Sequence, residues 1–382
     1  VRDAAGKTFF DRCRDLVKQV YHFFTATTLG NVLLKYGIGL GLLTYVVIAN
    51  WSGLADAAKR KIHFGPLLLA AAVTAVGLLI TFVRWYILVR AVDLPFTVYN
   101  AIRFGLIGYY FSMFLPSSVG GDVLKAYSIA REQNRRTRAV ATVLIDRAIG
   151  LWALVWFVAI IGTVFWLLND PLLQNAGLRR IILYSMFVAV GSTTAWIVVG
   201  LLPADRAERF AQRLHSIPKL GGSLAEFWRA CFLYTQKSRA VLIAMLMSMV
   251  GHTGWVLVFH LSVQAFETPN PEVDIGTFPE HMIVVPVGMV VQALFPSPGG
   301  IGGGEAAFGW LYTLLGKPEV NGIIGCFSQR IVFWCMGLIG YIVYTRMRAG
   351  IGRIEPAVEA EANVAGPEPP PTPITQPEAL QK

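Results

Sequence analysis

Apolar positions along this chain gather into long runs separated by short segments rich in Lys and Arg. Six runs reach the roughly 20 residues that a helix needs to cross about 30 Å of hydrocarbon. They lie near 31–50, 66–91, 139–168, 179–202, 239–266 and 323–346. Two further apolar pieces, 98–115 and 281–295, stop short at helix-breaking residues and are each followed by a short helix-like segment, 122–131 and 305–316. The pattern predicts an all-α, polytopic helical membrane protein, with six full crossings and two broken-helix hairpins over about 98–131 and 281–316.

The charges between the runs set an orientation. Cytoplasmic loops carry the excess of Lys and Arg. Basic residues crowd the start (Arg2, Lys7, Arg12, Arg14, Lys18), residues 128–138, residues 203–238 and the exit after 346, whereas loop 267–280 has Glu267, Glu272, Asp274 and Glu280 and no basic residue. The first four segments are expected inside and the acidic loop outside; Lys59, Arg60 and Lys61 are the misfit. With that count the first hairpin enters from the cytoplasmic face and the second from the outer face, so the two are opposed and re-entrant, or else each is a pair of thin crossings. Both termini are then cytoplasmic.

The two breaks are Pro116-Ser117-Ser118-Val119-Gly120-Gly121-Asp122 and Pro296-Ser297-Pro298-Gly299-Gly300-Ile301-Gly302-Gly303-Gly304-Glu305. Each ends on a carboxylate. Irregular backbone at membrane depth survives only where protein buries it or a polar cavity is lined by it, and paired discontinuous helices carry the binding sites of many transporters. In the first break, Ser117, Ser118, Gly120 and Gly121 leave N–H groups free ahead of a helix N-terminus, a natural cradle for phosphate. Lys125 stands one turn on, and Asp122 either caps the helix or holds a basic side chain or cation. In the second, Gly299 and Gly300 give open backbone beside Glu305, which otherwise serves as a first-turn acid in a glycine-lined packing contact.

Ionisable groups inside membrane segments face the protein interior and pair. Asp146 and Arg147 lie near the start of one crossing, and Arg330 is the sole charge within 323–345. The expected partners are Glu305 or a ligand phosphate for Arg147, and Asp122 or Asp146 for Arg330. Arg84 and Arg90 read as snorkelling anchors at the end of the second crossing. His252 and His260, two helical turns apart, read as structural.

Composition agrees with the membrane reading. The chain has 382 residues, 55% hydrophobic and only 15% charged, against about a quarter charged in soluble domains. Its mean hydropathy is +0.55. The net charge of +10 would suggest nucleic acid in a soluble protein, but its clustering beside apolar runs points to topology and anionic headgroups instead. Cys13, Cys231, Cys326 and Cys335 are too scattered for a disulfide framework or a metal site, and no cofactor is expected. Residues 1–29 read as an amphipathic interfacial segment, residues 204–237 as two more such helices, and 347–382, with its run of prolines, as a disordered tail.

Four stretches together resemble the flippase-like membrane domain of the lysylphosphatidylglycerol synthetase/flippase family: Pro116 to Tyr127, Val143-Leu144-Ile145-Asp146-Arg147, Pro296 to Ala307, and Gln329-Arg330. The resemblance spans about residues 30–346. It implies a domain in a bacterial or archaeal cytoplasmic membrane that moves anionic or aminoacylated phospholipids, or polyprenyl-phosphate-linked lipids, between leaflets. Asp122, Asp146, Arg147, Glu305 and Arg330 match its polar membrane residues. Membrane lipids are then the expected partners, with homo-oligomerisation left open. No aminoacyl-transferase domain follows, so lipid lysylation is not expected. The alternatives from other classes are a membrane enzyme acting on a lipid-linked phosphate or sugar, and a membrane scaffold.

Overall fold

The computed structural model describes residues 28–364 apart from 115–119, 134, 218–220 and 269–274. The interfacial helix expected before residue 28, Ser117 and Ser118, and the last part of the tail lie outside the described residues. Among the described residues all regular structure is helical, save one isolated antiparallel bridge between Ile62 and Phe266. The helices are α1 (Thr28–Ala49), α2 (Trp51–Ala57), α3 (Phe64–Ala91), α4 (Val98–Phe114), α5 (Gly120–Glu132), α6 (Arg136–Leu167) and α7 (Ala176–Gly200), then α8 (Ala204–His215), α9 (Gly221–Thr235), α10 (Ser238–Gln264), α11 (Phe278–Leu294), α12 (Gly303–Leu314) and α13 (Glu319–Val364).

Among the described residues, five helices are long and apolar enough to cross a membrane: α3, α7, α10, Arg138–Leu167 of α6 and Glu319–Arg346 of α13. The sixth expected run, 31–50, falls on α1, which meets α2 at Asn50 at a bend of 79°; the bent pair together passes as a sixth span. The short apolar pieces before the breaks are α4 and α11, each 17 residues long. Two helices do form within 204–237, α8 and α9. α13 runs from Glu319 to Val364 without interruption.

α3 and α10 form the central pair and run antiparallel. His63 N–H donates to the Ala265 carbonyl at 2.8 Å and Glu267 N–H to the Lys61 carbonyl at 3.0 Å, so the start of α3 meets the end of α10. Farther along, Gly77 lies against Trp255, and Arg84 reaches Ser248. The remaining helices pack around this pair: α4 and α6 on α3, α11 and α13 on α10, with α3 also touching α13 and α10 touching α6. α4 rests on α13 and α11 on α6.

Three apolar clusters fill the bundle among the described residues, the smallest joining α3, α10 and α13 through Ala70, Val258 and Val332; the two larger ones hold most of the core. One joins α3, α4, α6 and α9 through Trp85, Phe104, Ile145 and Tyr234. The other joins α6, α7, α10, α11 and α12 through Phe157, Ile182, Phe259, Phe308 and Tyr312. The polar tips of Trp85 and Tyr234 have partners, as burial of an unpaired one is costly: Trp85 Nε1 donates to Thr142 Oγ1 at 3.2 Å, and Tyr234 Oη to the Leu88 carbonyl at 2.8 Å. Outward faces carry large apolar residues such as Phe187, Tyr184 and Leu68, the surface of a multi-pass membrane protein in contact with lipid.

Candidate functional site

The second break is built from glycines in conformations that other residues resist. α11 ends at Leu294, capped by Phe295, and a single 3₁₀ turn, Pro298–Gly300, leads to α12. Gly299, Gly300 and Gly302 have φ of 57°, 69° and 83°, in the left-handed region where a Cβ is penalised. A side chain at Gly302 would also strike the carbonyl of Gly39 in α1. The turn therefore closes tightly under α1, and it aims backbone groups at the Glu305 carboxylate.

Glu305 is wholly buried in the first turn of α12. Its Oε2 accepts from the Gly302 N–H at 2.7 Å. Its Oε1 accepts from Arg330 Nε at 2.9 Å and Nη2 at 2.6 Å, while Arg330 Nη1 donates to the Gly299 carbonyl at 2.6 Å. One guanidinium thus ties the carboxylate to the broken backbone. Such a pair, taken out of water, holds only because its hydrogen bonds are nearly all made. Beside it lies a cavity of about 200 Å³ between α4, α11 and α13, lined by Tyr109, Ser112, Met113, Met289, Gln292 and Arg330.

The first break has the same parts in looser form. α5 begins at Gly120, so Asp122 falls in its first turn, and its carboxylate accepts from Arg147 of α6. The side chains of Asp122 and Arg147 are 25% and 33% exposed, against 0% and 6% for Glu305 and Arg330. Gly121 is required by close approach, because a Cβ there would overlap the Gly108 carbonyl of α4.

Asp146 points elsewhere. It accepts from Arg84 Nε at 2.9 Å and from Lys125 Nζ at 3.3 Å, and all three side chains are buried. Arg84 Nη1 also donates to Ser248 Oγ at 2.8 Å, and Lys125 Nζ sits 4.0 Å from the centroid of the Trp85 ring. The cluster clamps α3, α5, α6 and α10 together.

The expected pairings are therefore corrected. Arg147 pairs with Asp122 rather than Glu305, and Arg330 with Glu305 rather than Asp122 or Asp146. Each break carboxylate takes an arginine from the crossing that follows its own short helix, a local solution that avoids threading a charge across the bundle. Lys125, expected to face a phosphate, is held by Asp146 and Trp85. Arg84, expected to snorkel, is 7% exposed and fully engaged; its signal was its depth within the apolar run. Arg90 does sit at the rim, with Nη1 donating to the Leu94 carbonyl at 3.2 Å. His252 bonds the Gly150 carbonyl, and His260 bonds His281.

A groove the sequence reading missed opens between α4, α5 and the far end of the membrane part of α13. It has a volume of about 1090 Å³ and combines Arg103, Arg131 and Arg346 with Tyr99, Tyr127 and Tyr344. Arg103 pairs with Glu132 at 2.9 Å, yet its Nε is buried and has no hydrogen-bond partner among the described residues.

Residues 32–340 match the family model described as lysylphosphatidylglycerol synthase TM region. The chain belongs to this family. The match covers both breaks, Asp146-Arg147 and Arg330, so the charged clusters described above lie within the family's membrane region. Neither the comparison with curated proteins nor that with solved structures finds a match.

Proposed function

We propose that this member of the lysylphosphatidylglycerol synthase TM-region family is a lipid translocase, moving an anionic or aminoacylated phospholipid or a polyprenyl-phosphate-linked lipid between leaflets. The observation that carries the reading is the Arg330–Glu305–Gly299 cluster. A guanidinium and irregular backbone stand inside an apolar bundle, beside a cavity of about 200 Å³, and buried ionisable groups in such bundles mark ligand or ion paths. Arg330 can exchange its bond to the Gly299 carbonyl for a phosphate oxygen without leaving Glu305, so the headgroup is recognised by the guanidinium and the backbone rather than by the carboxylate. The basic and aromatic groove of Arg103, Arg131 and Arg346 supports capture of an anionic headgroup, with the lipid tails left in hydrocarbon.

The basic loops support a reading in which the groove faces the cytoplasm, in a bacterial or archaeal cytoplasmic membrane. On that orientation the two breaks open toward opposite faces, and both termini are cytoplasmic. The test is leaflet exchange of a fluorescent anionic phospholipid in liposomes containing the purified protein. Wild type accelerates exchange, and Glu305→Gln and Arg330→Ala abolish it. Unchanged exchange in both variants would overturn the site.

A further inference from the structure

Two sets of four helices in this bundle follow one another with similar lengths, in the same order. α3, α4, α5 and α6 have 28, 17, 13 and 32 residues. α10, α11, α12 and the membrane part of α13 have 27, 17, 12 and 28. Each set carries its break between the second and third helix. Each also carries a carboxylate in the first turn of the third helix, paired with an arginine 25 residues later on the fourth. One shift along the chain takes Asp122 to Glu305, Arg147 to Arg330 and Asp146 to Gln329.

The packing repeats as well. α4 lies on α13 and α11 on α6; α3 touches α13, and α10 touches α6; within each set the neighbours are the same. Exchanging the two sets leaves this pattern unchanged. Because the equivalent helices α3 and α10 run antiparallel, the operation that relates the sets inverts the bundle axis. It is the relation of an inverted-topology repeat, in which alternating access arises by exchanging the conformations of the two halves.

The halves differ now in one respect that matters. The Glu305–Arg330 pair is sealed, whereas Asp122–Arg147 is a quarter to a third exposed. From this we infer that the two pairs are equivalent gates of an inverted repeat, and that the structure holds one of two exchangeable states, with the second gate shut and the first ajar. In the other state Asp122–Arg147 is sealed and Glu305–Arg330 opens. The repeat has diverged beside the gates: where the first half has Lys125 and Asp146, the second has Phe308, stacked on Phe259 at 4.4 Å, and Gln329. The charged clamp on Asp146 therefore belongs to one half alone and is not a third gate.

The inference rests on the translocase reading only for its purpose, and the states can be read without transport. Cys326 is buried against the first turn of α12, its Sγ 3.2 Å from where a Cβ on Gly304 would lie. It reports opening of the second gate. The full chain in liposomes is treated with a small water-soluble methanethiosulfonate, and the labelling rate of the Cys326 peptide is read by mass spectrometry against that of the wild-type chain. Glu305→Gln should raise the Cys326 labelling rate about tenfold or more, and adding Asp122→Asn should return it to within about threefold of wild type. Arg330→Lys, which keeps the charge but loses the fork, should act in the direction of Glu305→Gln and covers misfolding of the first variant. Labelling that rises with Glu305→Gln but ignores Asp122→Asn, or that never rises, overturns the coupled gates. Reciprocal labelling without any lipid exchange would instead overturn the translocase reading and leave the gates standing.

Discussion

Arg84 Nε donates to the Asp146 carboxylate at 2.9 Å, joining α3 to α6 at a point where neither side chain reaches water. With Lys125 on the other carboxylate oxygen, one acid balances two buried cations. Removing the acid alone leaves both cations without their partner. Asp146→Ala should therefore destabilise the protein by about 3–5 kcal/mol, the usual result of breaking a buried ion pair from one side. The triple change Arg84→Met, Lys125→Met, Asp146→Leu should recover most of that loss. Thermal unfolding in detergent measures both, and a triple variant less stable than Asp146→Ala would contradict the account.

Gly302 and Gly299 share a positive φ, yet they should not respond alike to alanine. A Cβ on Gly299 meets nothing nearer than the Arg330 Nη1 at 3.4 Å, so Gly299→Ala bears chiefly the left-handed penalty, about 1–2 kcal/mol. At Gly302 the new methyl also meets the Gly39 carbonyl and lies 3.0 Å from the Leu43 nitrogen. Overpacking adds about 1–3 kcal/mol. The midpoint of thermal unfolding should fall further for Gly302→Ala, and equal shifts would show that α1 does not brace the break.

The groove makes a prediction about charge rather than fold. Arg131 is exposed and stacks on Tyr127, with its guanidinium carbon 5.7 Å from the ring centroid, so its loss should leave stability nearly unchanged. Arg131→Gln together with Arg346→Gln should slow exchange of an anionic lipid severalfold and affect a zwitterionic lipid less. Because exposed charges are screened beyond a Debye length of about 10 Å at 0.1 M salt, the difference should shrink as salt is raised. Equal slowing of both lipids at all salt concentrations would remove the groove from headgroup capture.

How much of this was legible in the chain depends on the range of the interaction that fixes it. Lengths of apolar runs locate α3, α7, α10 and the membrane parts of α6 and α13, because a crossing is decided by its own residues. The breaks are equally local, since Pro296, Pro298 and the glycines around them cannot continue a helix. Pairing is not local. The depth of Arg84 within its apolar run hints that it is buried, but nothing in the run names its partner Asp146, which is 62 positions away. The spacing of 25 between each carboxylate and its arginine was visible, but it acquires meaning only when both pairs prove to close. The helix after Asn50 was hidden for a related reason: the apolar run stops at 50, and only the structure shows that Trp51–Ala57 resumes as a helix at 79° to α1.

A last chain of polar contacts fixes proton positions by elimination. Tyr312 Oη donates to the Ile275 carbonyl at 2.8 Å, so toward His281 Nε2, also at 2.8 Å, it must accept. His281 then carries its proton on Nε2, and its Nδ1 accepts from His260 Nδ1 at 2.8 Å. His260 Nε2 is left to accept from Gln264 Nε2 at 3.0 Å. A neutral imidazole has one donor and one acceptor, so the chain admits a single direction from Gln264 to Ile275. ¹⁵N spectra of histidine-labelled protein should show His281 as the Nε2–H tautomer and His260 as the Nδ1–H tautomer. Tyr312→Phe leaves the Ile275 carbonyl and the His281 N–H without their hydroxyl, at about 1–3 kcal/mol for a buried unsatisfied group. It should also free His281 to change tautomer. A variant that keeps both the unfolding midpoint and the His281 tautomer would show that Tyr312 does not set the direction.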